Sequence, residues 1–281
     1  MGKVCLTTVS SANYFSGYIP LYLYSLSQAF PDYHARIFLR GKLPPYVKEA
    51  LNLVPGGKWA IYEDSFPSYH VDTASTNALR FILRAKHFQG FKCVLFTDLD
   101  FIFVPTRPKL IDYHSMQMTK SGCFGGYRGP KRHPARFPTG WTGDKQRVAG
   151  GTFLVNQEWF KKTAEEAKKY RKILKAGKFP KYREADEVML CNMIKKSGMV
   201  PPEHKGYSRK YRPLHVGDFK FARGSSNRKM ARLITKGTCR KFLRLYEDPT
   251  WVAITELISK HNPTIRKLLR GARRYTKRRA K

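Results

Sequence analysis

Two carboxylates, Asp98 and Asp100, interrupt an otherwise apolar stretch, Val94-Leu95-Phe96-Thr97-Asp98-Leu99-Asp100-Phe101-Ile102-Phe103-Val104. Burying an unpaired carboxylate is costly. In an extended segment residues two apart face the same side, so the two acids converge while Leu99 turns into the packing. Neighbouring anions repel unless a cation bridges them, and hard oxygen ligands suit Mn²⁺ or Mg²⁺. The pattern predicts a half-built metal site at the carboxyl end of a strand, where α/β sheets bind ligands. A plain capping role for both acids is the alternative. The flanking residues argue against it, because a turn does not normally continue as Phe-Ile-Phe-Val.

Two aspartates leave a divalent ion under-coordinated, so a third protein ligand is expected, with phosphate oxygens completing the shell. His215 is the candidate, in Leu214-His215-Val216-Gly217-Asp218-Phe219-Lys220. There Gly217 permits close backbone approach and Lys220 can pair with a phosphate, while Asp218 competes as a ligand. A third element, Ala185-Asp186-Glu187-Val188-Met189-Leu190-Cys191-Asn192, opens a helix with two acids. Their favourable placement against the helix dipole is one account. The other sets one of these carboxylates beside a sugar, holding hydroxyls or stabilising a positive anomeric centre. The residues alone leave both open.

Strands and helices must position these groups. Val4 to Val9 reads as a first buried strand, Tyr18 to Phe30 as a helix ended by Pro31-Asp32, and Ala35 to Leu39 as a second strand. Pro44-Pro45 opens a short helix through Leu53, and Thr76 to Phe88 has helical spacing ahead of the strand Cys93 to Phe96. Gly151 to Val155 reads as a strand and Gln157 to Leu174 as a helix, whereas Lys120 to Asp144, rich in Gly, Pro, Arg and Lys, reads as loops over an active-site mouth. The alternation predicts an α/β fold with a mostly parallel, doubly wound sheet flanked by helices.

Charge is the outlying property: 54 Lys and Arg against 20 Asp and Glu give +34 over 281 residues. Such a field attracts polyanions, whether nucleic acid, phosphorylated glycans or anionic lipid headgroups. From Pro201 onward 23 basic residues face 5 acidic ones, and Arg266 to Lys281 holds nine basic residues and no acid. That tail is expected to be frayed unless bound, or to act as a surface anchor with Ile265, Leu268 and Leu269 facing lipid. Five scattered cysteines fit a reducing cytosol. No apolar run reaches the ~18 residues of a membrane span, and no long apolar leader opens the chain. The expectation is a cytoplasmic protein, peripheral at a membrane surface if the tail binds one.

The order of segments resembles the GT-A-fold glycosyltransferases, above all the family 8 group that includes glycogenin and bacterial lipooligosaccharide galactosyltransferases. Val9-Ser10-Ser11-Ala12-Asn13-Tyr14 resembles the opening nucleotide-binding loop, Arg80 the basic residue before the metal-binding strand, and Thr97-Asp98-Leu99-Asp100 the DxD motif. Ala149 to Asn156, Asp186-Glu187 to Asn192, and His215-Val216-Gly217 are similar to later stations, with the last spacing shortened. The resemblance implies a catalytic domain over residues 1–222, which a basic region at 223–281 completes or extends, with a tail at 266–281. It implies a UDP-sugar or related donor touching Val9, Ser11, Asn13, Tyr14, Arg80, Asp98, Leu99, Asp100, Gly217 and Lys220. A Mn²⁺ or Mg²⁺ ion on Asp98, Asp100 and His215, with Asp186 and Glu187 as catalytic carboxylates and retention at the anomeric carbon, follows from the same resemblance. Ser11 and Ala12 stand where acids are usual in the family, Ala149 where Asn is common, and Glu187 where Gln is usual. The acceptor expected from the charge is a glycolipid or lipopolysaccharide-like glycan, with DNA or protein as alternatives. A non-catalytic nucleic-acid-binding protein is the rival from another class, motivated by runs such as Tyr207-Ser208-Arg209-Lys210-Tyr211-Arg212.

Overall fold

The computed structural model describes residues 3–69, 72–107, 109–121, 125–132, 147–181, 185–199, 213–219 and 235–281. Its central sheet has six strands: β1 (Val4–Ser11), β2 (His34–Arg40), β3 (Trp59–Tyr62), β4 (Cys93–Thr97), β6 (Gly125–Arg132) and β7 (Arg147–Asn156), in the order β3-β2-β1-β4-β7-β6. The pairs β1/β2, β2/β3 and β1/β4 are parallel, and β7 runs antiparallel to both β4 and β6. The sheet is therefore mostly parallel, as expected for a GT-A-like α/β fold. A separate two-stranded ribbon joins β5 (Phe101–Ile102) to β8 (Leu214–His215).

Alternation along the central strands divides the core in two. Leu6, Leu95 and Leu154 face one hydrophobic cluster, while Cys5, Val94, Phe96, Phe153 and Val155 face the other. Both faces are thus covered, which is why these strands read as continuous apolar runs. The first cluster is closed by α1 (Ile19–Ala29), α2 (Pro45–Leu51) and three C-terminal helices, α8 (Lys236–Glu247), α9 (Pro249–His261) and α10 (Pro263–Ala280). The second is closed by α5 (Gln157–Lys162), α6 (Ala164–Lys175) and α7 (Ala185–Lys196), together with 3-10 turns at Asn77–Ile82 and Ala85–Phe88. Two further helices, α3 (Thr73–Thr76) and α4 (Leu110–Ser121), complete the described α-helices.

Chain direction makes a crevice. From β1 the chain winds outward through β2 and β3, then returns to place β4 on the other side of β1. The loops at the carboxyl ends of β1 and β4 therefore part in opposite directions, and ligands of open α/β sheets bind at such a switch point. Those two loops are Ser11–Asn13 and Asp98–Asp100.

Several elements depart from the sequence expectation. The helix expected over Thr76 to Phe88 is broken into α3 and two 3-10 turns, with Leu83 and Arg84 extended between the turns. Ala78 through Ile82 are all buried, so the segment has no solvent face to mark a helical period. The helix expected from Gln157 to Leu174 is interrupted at Thr163, whose Oγ1 donates to the Trp159 carbonyl at 2.8 Å. Within the stretch read as loops, Gly125–Arg132 forms edge strand β6, where main-chain pairing to β7 tolerates Gly, Pro and two register shifts. Lys120 and Ser121 end α4 (Leu110–Ser121), and 122–124 and 133–144 lie outside the described residues, as does the Tyr207–Arg212 run.

The largest departure is the basic tail. It is the ordered helix α10, capped by Asn262, whose Oδ1 accepts from the Ile265 backbone N–H at 3.1 Å. Ile265, Leu268, Leu269 and Ala272 are buried in the first core cluster with Phe242, Trp251, Ile254 and Ile258. Each fully buried aliphatic side chain contributes roughly 1.5–3 kcal/mol, so this face is committed to the fold and is not open to lipid. The cations occupy the remaining faces. α10 also packs against the 3-10 turns Tyr14–Tyr18 and Val216–Phe219, so the helix braces loops on both sides of the crevice.

Candidate active site

Strand β4 ends at Thr97, and Asp98, Leu99 and Asp100 turn the chain out of the main sheet before β5 begins at Phe101. The carboxylates converge through this turn, not through an extended strand as the spacing alone suggested. A turn does here continue as Phe-Ile-Phe-Val, because β5 enters a second sheet. Its partner β8 pairs Phe101 with His215, and the Val216 backbone N–H donates to the Asp100 carbonyl at 2.9 Å. Two residues 115 positions apart are thereby fixed side by side: His215 Nε2 lies 3.0 Å from Asp100 Oδ1. One ligand atom each from Asp98, Asp100 and His215 falls within 4.8 Å of the others.

Two glycines leave room for this cluster. A Cβ on Gly151 would stand 2.5 Å from Asp98 Oδ2, and one on Gly217 would stand 2.5 Å from Asp100 Oδ2 and 3.0 Å from His215 Nε2. Gly151 also accepts the Asp98 backbone N–H through its carbonyl at 3.2 Å. Gly217→Ala is accordingly expected to leave the fold in place but weaken Mn²⁺ binding at least about tenfold, because the carboxylate must swing away from the imidazole. Electron paramagnetic resonance of free Mn²⁺ during titration measures it, and an unchanged affinity would remove the steric argument.

Arg80 organises the acids from below. It lies in the turn Asn77–Ile82 and is only 3% exposed. Its Nη1 donates to Asp98 Oδ1 at 2.6 Å and to the Thr97 carbonyl at 3.3 Å, while Nη2 donates to Asp186 Oδ2 at 3.1 Å. Burial works against its charge, but Asp98 and Asp186 outweigh that and hold the guanidinium above its ordinary range. Burial also pushes the Asp186 carboxyl up, with Arg80 pulling it back and Asp98 adding to the rise. Both terminal nitrogens of Arg80 are thus engaged by carboxylates, which links Asp98 to Asp186.

At the carboxyl ends of β1, β2 and β3 opens a cavity of about 520 Å³. Ser11, Ala12, Asn13, Arg40, Gly41, Asp64, Phe66, Pro67 and Tyr69 line it. Ser11 and Asn13 were expected here from the opening loop, and Asn13 Oδ1 accepts from the Phe15 backbone N–H at 3.0 Å, shaping the turn that follows. Arg40, Gly41 and the residues from Asp64 onward were not anticipated. Gly41 at φ 93° and Asp64 at φ 49° mark the sharp turns that form this wall.

Other expected residues are placed differently. Val9 and Leu99 are buried at 4% and 6% exposure in the two core clusters, so only their main chain can face a ligand. Tyr14 begins the 3-10 turn after the loop, and its side chain lies outside what the structure describes, as does that of Asp218. Lys220 lies wholly outside the described residues. Asp186 and Glu187 occupy the first turn of α7 as expected, Asp186 buried against Arg80 and Glu187 half-buried.

Among solved structures the chain is similar to the glycosyltransferase GlyE of Streptococcus pneumoniae TIGR4, at 15% identity, covering 69% of this chain and 44% of that one, with a TM-score of 0.42. It is also similar to the galactosyltransferase LgtC in complex with donor and acceptor sugar analogs, at 14% identity, covering 82% of this chain and 94% of that one, with a TM-score of 0.43. The chain resembles glycosyltransferases. It spans less than half the length of GlyE and nearly all of LgtC. No protein-family profile and no curated protein sequence matches it.

Proposed function

We propose that the protein is a metal-dependent glycosyltransferase that moves a sugar from a nucleotide-diphosphate donor, a UDP-sugar, to an acceptor hydroxyl with retention at the anomeric carbon. The observation that carries this reading is the Asp98, Asp100 and His215 cluster, with its ligand atoms within 4.8 Å, at the switch point of the sheet. Two carboxylates and an imidazole can hold Mn²⁺ or Mg²⁺, and the clearance at Gly151 and Gly217 fits an ion held between them. When bound, the cation neutralises the charge that builds on the leaving diphosphate.

The chain's own residues do the rest. Ser11 and Asn13, with the wall from Arg40 to Tyr69, receive the base and ribose in the 520 Å³ cavity. The main chain of Val9 and Leu99 borders the donor, Tyr14 closes the opening loop, Gly217 admits the diphosphate close to the backbone, and Lys220 pairs with it. Arg80 fixes the Asp98 carboxylate and couples it to Asp186. That link supports Asp186, with Glu187 on the same helical turn, as the sugar-side carboxylates. Residues 1–222 form the catalytic domain and 223–281 complete it through α8, α9 and α10.

For the acceptor, the +34 charge favours an anionic one, a glycolipid or lipopolysaccharide-like glycan at a membrane surface facing the cytoplasm. Attraction is electrostatic only, since the apolar face of α10 is buried, and no helix among the described residues is long and apolar enough to cross a membrane. The experiment is release of nucleoside diphosphate from a panel of nucleotide sugars. Release is expected with Mn²⁺, lost on chelation and restored by Mn²⁺. Metal-independent release, or none from any donor, would exclude the reading.

A further inference from the structure

Helices α9 and α10 fold back on each other around Asn262 and enclose a cleft of about 220 Å³ that is not part of the donor cavity. Its lining from α10 is Arg266, Leu269, Arg270 and Arg273, spaced so that the three guanidinium groups share one stripe. From α9 come Trp251, Val252, Thr255, Glu256 and Ser259, and Tyr246 of α8 completes the lining. Like charges at such spacings repel. None of the three arginines makes an ion pair among the described residues, and Arg273 lies over the Tyr246 ring, 5.5 Å from its centroid.

Two residues of the lining carry unpaired polar atoms. Trp251 is fully buried, yet its indole Nε1 has no hydrogen-bond partner, and neither has the buried Thr255 Oγ1 one turn along the same helix. Buried donors without acceptors are rare and costly. Three guanidinium groups thus stand along one small cleft against a single carboxylate, Glu256, while the unpaired Trp251 Nε1 and Thr255 Oγ1 lie beneath its surface.

We propose that the α9/α10 cleft is an anion site for a phosphomonoester group, separate from the diphosphate of the donor. Arginine forks suit phosphate oxygens bidentately. The phosphate can come from a soluble phosphorylated sugar or from a lipid headgroup, and the chemistry recognised is the same. The proposal does not depend on the donor site.

The test titrates the full-length protein by calorimetry with inorganic phosphate, in the presence of a chelator so that the metal site is silent. Saturable one-site binding is expected, with a Kd on the order of 1 mM or tighter. Arg270→Ala/Arg273→Ala should weaken it at least tenfold. Lys267→Ala/Arg278→Ala removes the same charge outside the cleft lining and should change it less than about twofold. Equal loss in that control, or no saturation by about 10 mM phosphate, overturns the proposal. Parallel titrations with glucose 6-phosphate and with phosphatidylcholine vesicles carrying phosphatidic acid assign the source, each against the Arg270→Ala/Arg273→Ala protein. A cleft-dependent tenfold loss with either ligand supports the site, and a loss with neither overturns it. Donor-dependent diphosphate release by the same variant reports separately on the glycosyltransferase reading.

Discussion

Asp100→Asn should reduce nucleoside diphosphate release by on the order of a thousandfold while the protein remains folded. The substitution preserves shape in a nearly buried position, but it replaces a carboxylate oxygen with an amide and removes one of two anionic charges from the Asp98, Asp100 and His215 cluster. Among the described residues only His215 pairs with Asp100, at 3.0 Å from Oδ1, and stability should change little. Initial rates across a Mn²⁺ titration, with circular dichroism melting as the control, separate lost metal binding from lost fold. A variant with undiminished metal-dependent release would show that Asp100 is not a ligand. A nucleic-acid-binding protein would instead keep its only activity, retention on DNA, after this change.

The opposite balance is expected at Arg80. Arg80→Met replaces a buried guanidinium by an apolar chain of similar length and leaves Asp98 and Asp186 facing each other without their shared counter-charge. Breaking a buried ion pair from one side costs roughly 3–5 kcal/mol, which for a domain of this size lowers the Tm by on the order of 10 °C. Adding Asp186→Asn removes one of the stranded carboxylates, so the double variant should be more stable than Arg80→Met alone. The coupling energy from the cycle, measured by denaturant unfolding, is expected to exceed about 1 kcal/mol. Additive effects would mean that the Arg80 link to Asp186 does not hold the site together.

The parts legible in the sequence were those in which burial or charge left an unambiguous mark. Strands β1, β2, β4 and β7 are covered on both faces, so their apolar runs stood out, whereas edge strands β3 and β6 have little apolar periodicity and β6 contains Gly and Pro. Asp98 and Asp100 were visible because acids are out of place between Phe96 and Phe101, and the structure brings His215 to them. A turn between two sheets, not strand alternation, aims the carboxylates. Arg80 was legible as a basic residue of the site, but its two partners lie 18 and 106 positions away, a distance that pattern cannot reveal. The cavity wall from Arg40 to Tyr69 leaves no mark in the sequence because turn residues carry no period.

The tail shows the converse error. Nine basic residues in sixteen suggested fraying or lipid adhesion. Yet Ile265, Leu268, Leu269 and Ala272 recur at helical spacing, and that sparse stripe is enough when Phe242, Trp251 and Ile258 wait to receive it. Charge density dominated the reading where a four-residue apolar face decided the structure.

Thermal unfolding with a panel of nucleotide sugars, each with and without Mn²⁺, tests the central claim most directly. A ligand that binds only the native state at a hundred times its Kd adds about 2.7 kcal/mol. At least one UDP-sugar should raise the Tm by several degrees in the presence of Mn²⁺, with no rise in Mn²⁺-free buffer or in Asp100→Asn. If no nucleotide sugar stabilises the protein with Mn²⁺ present, Asp98, Asp100 and His215 do not form a donor site.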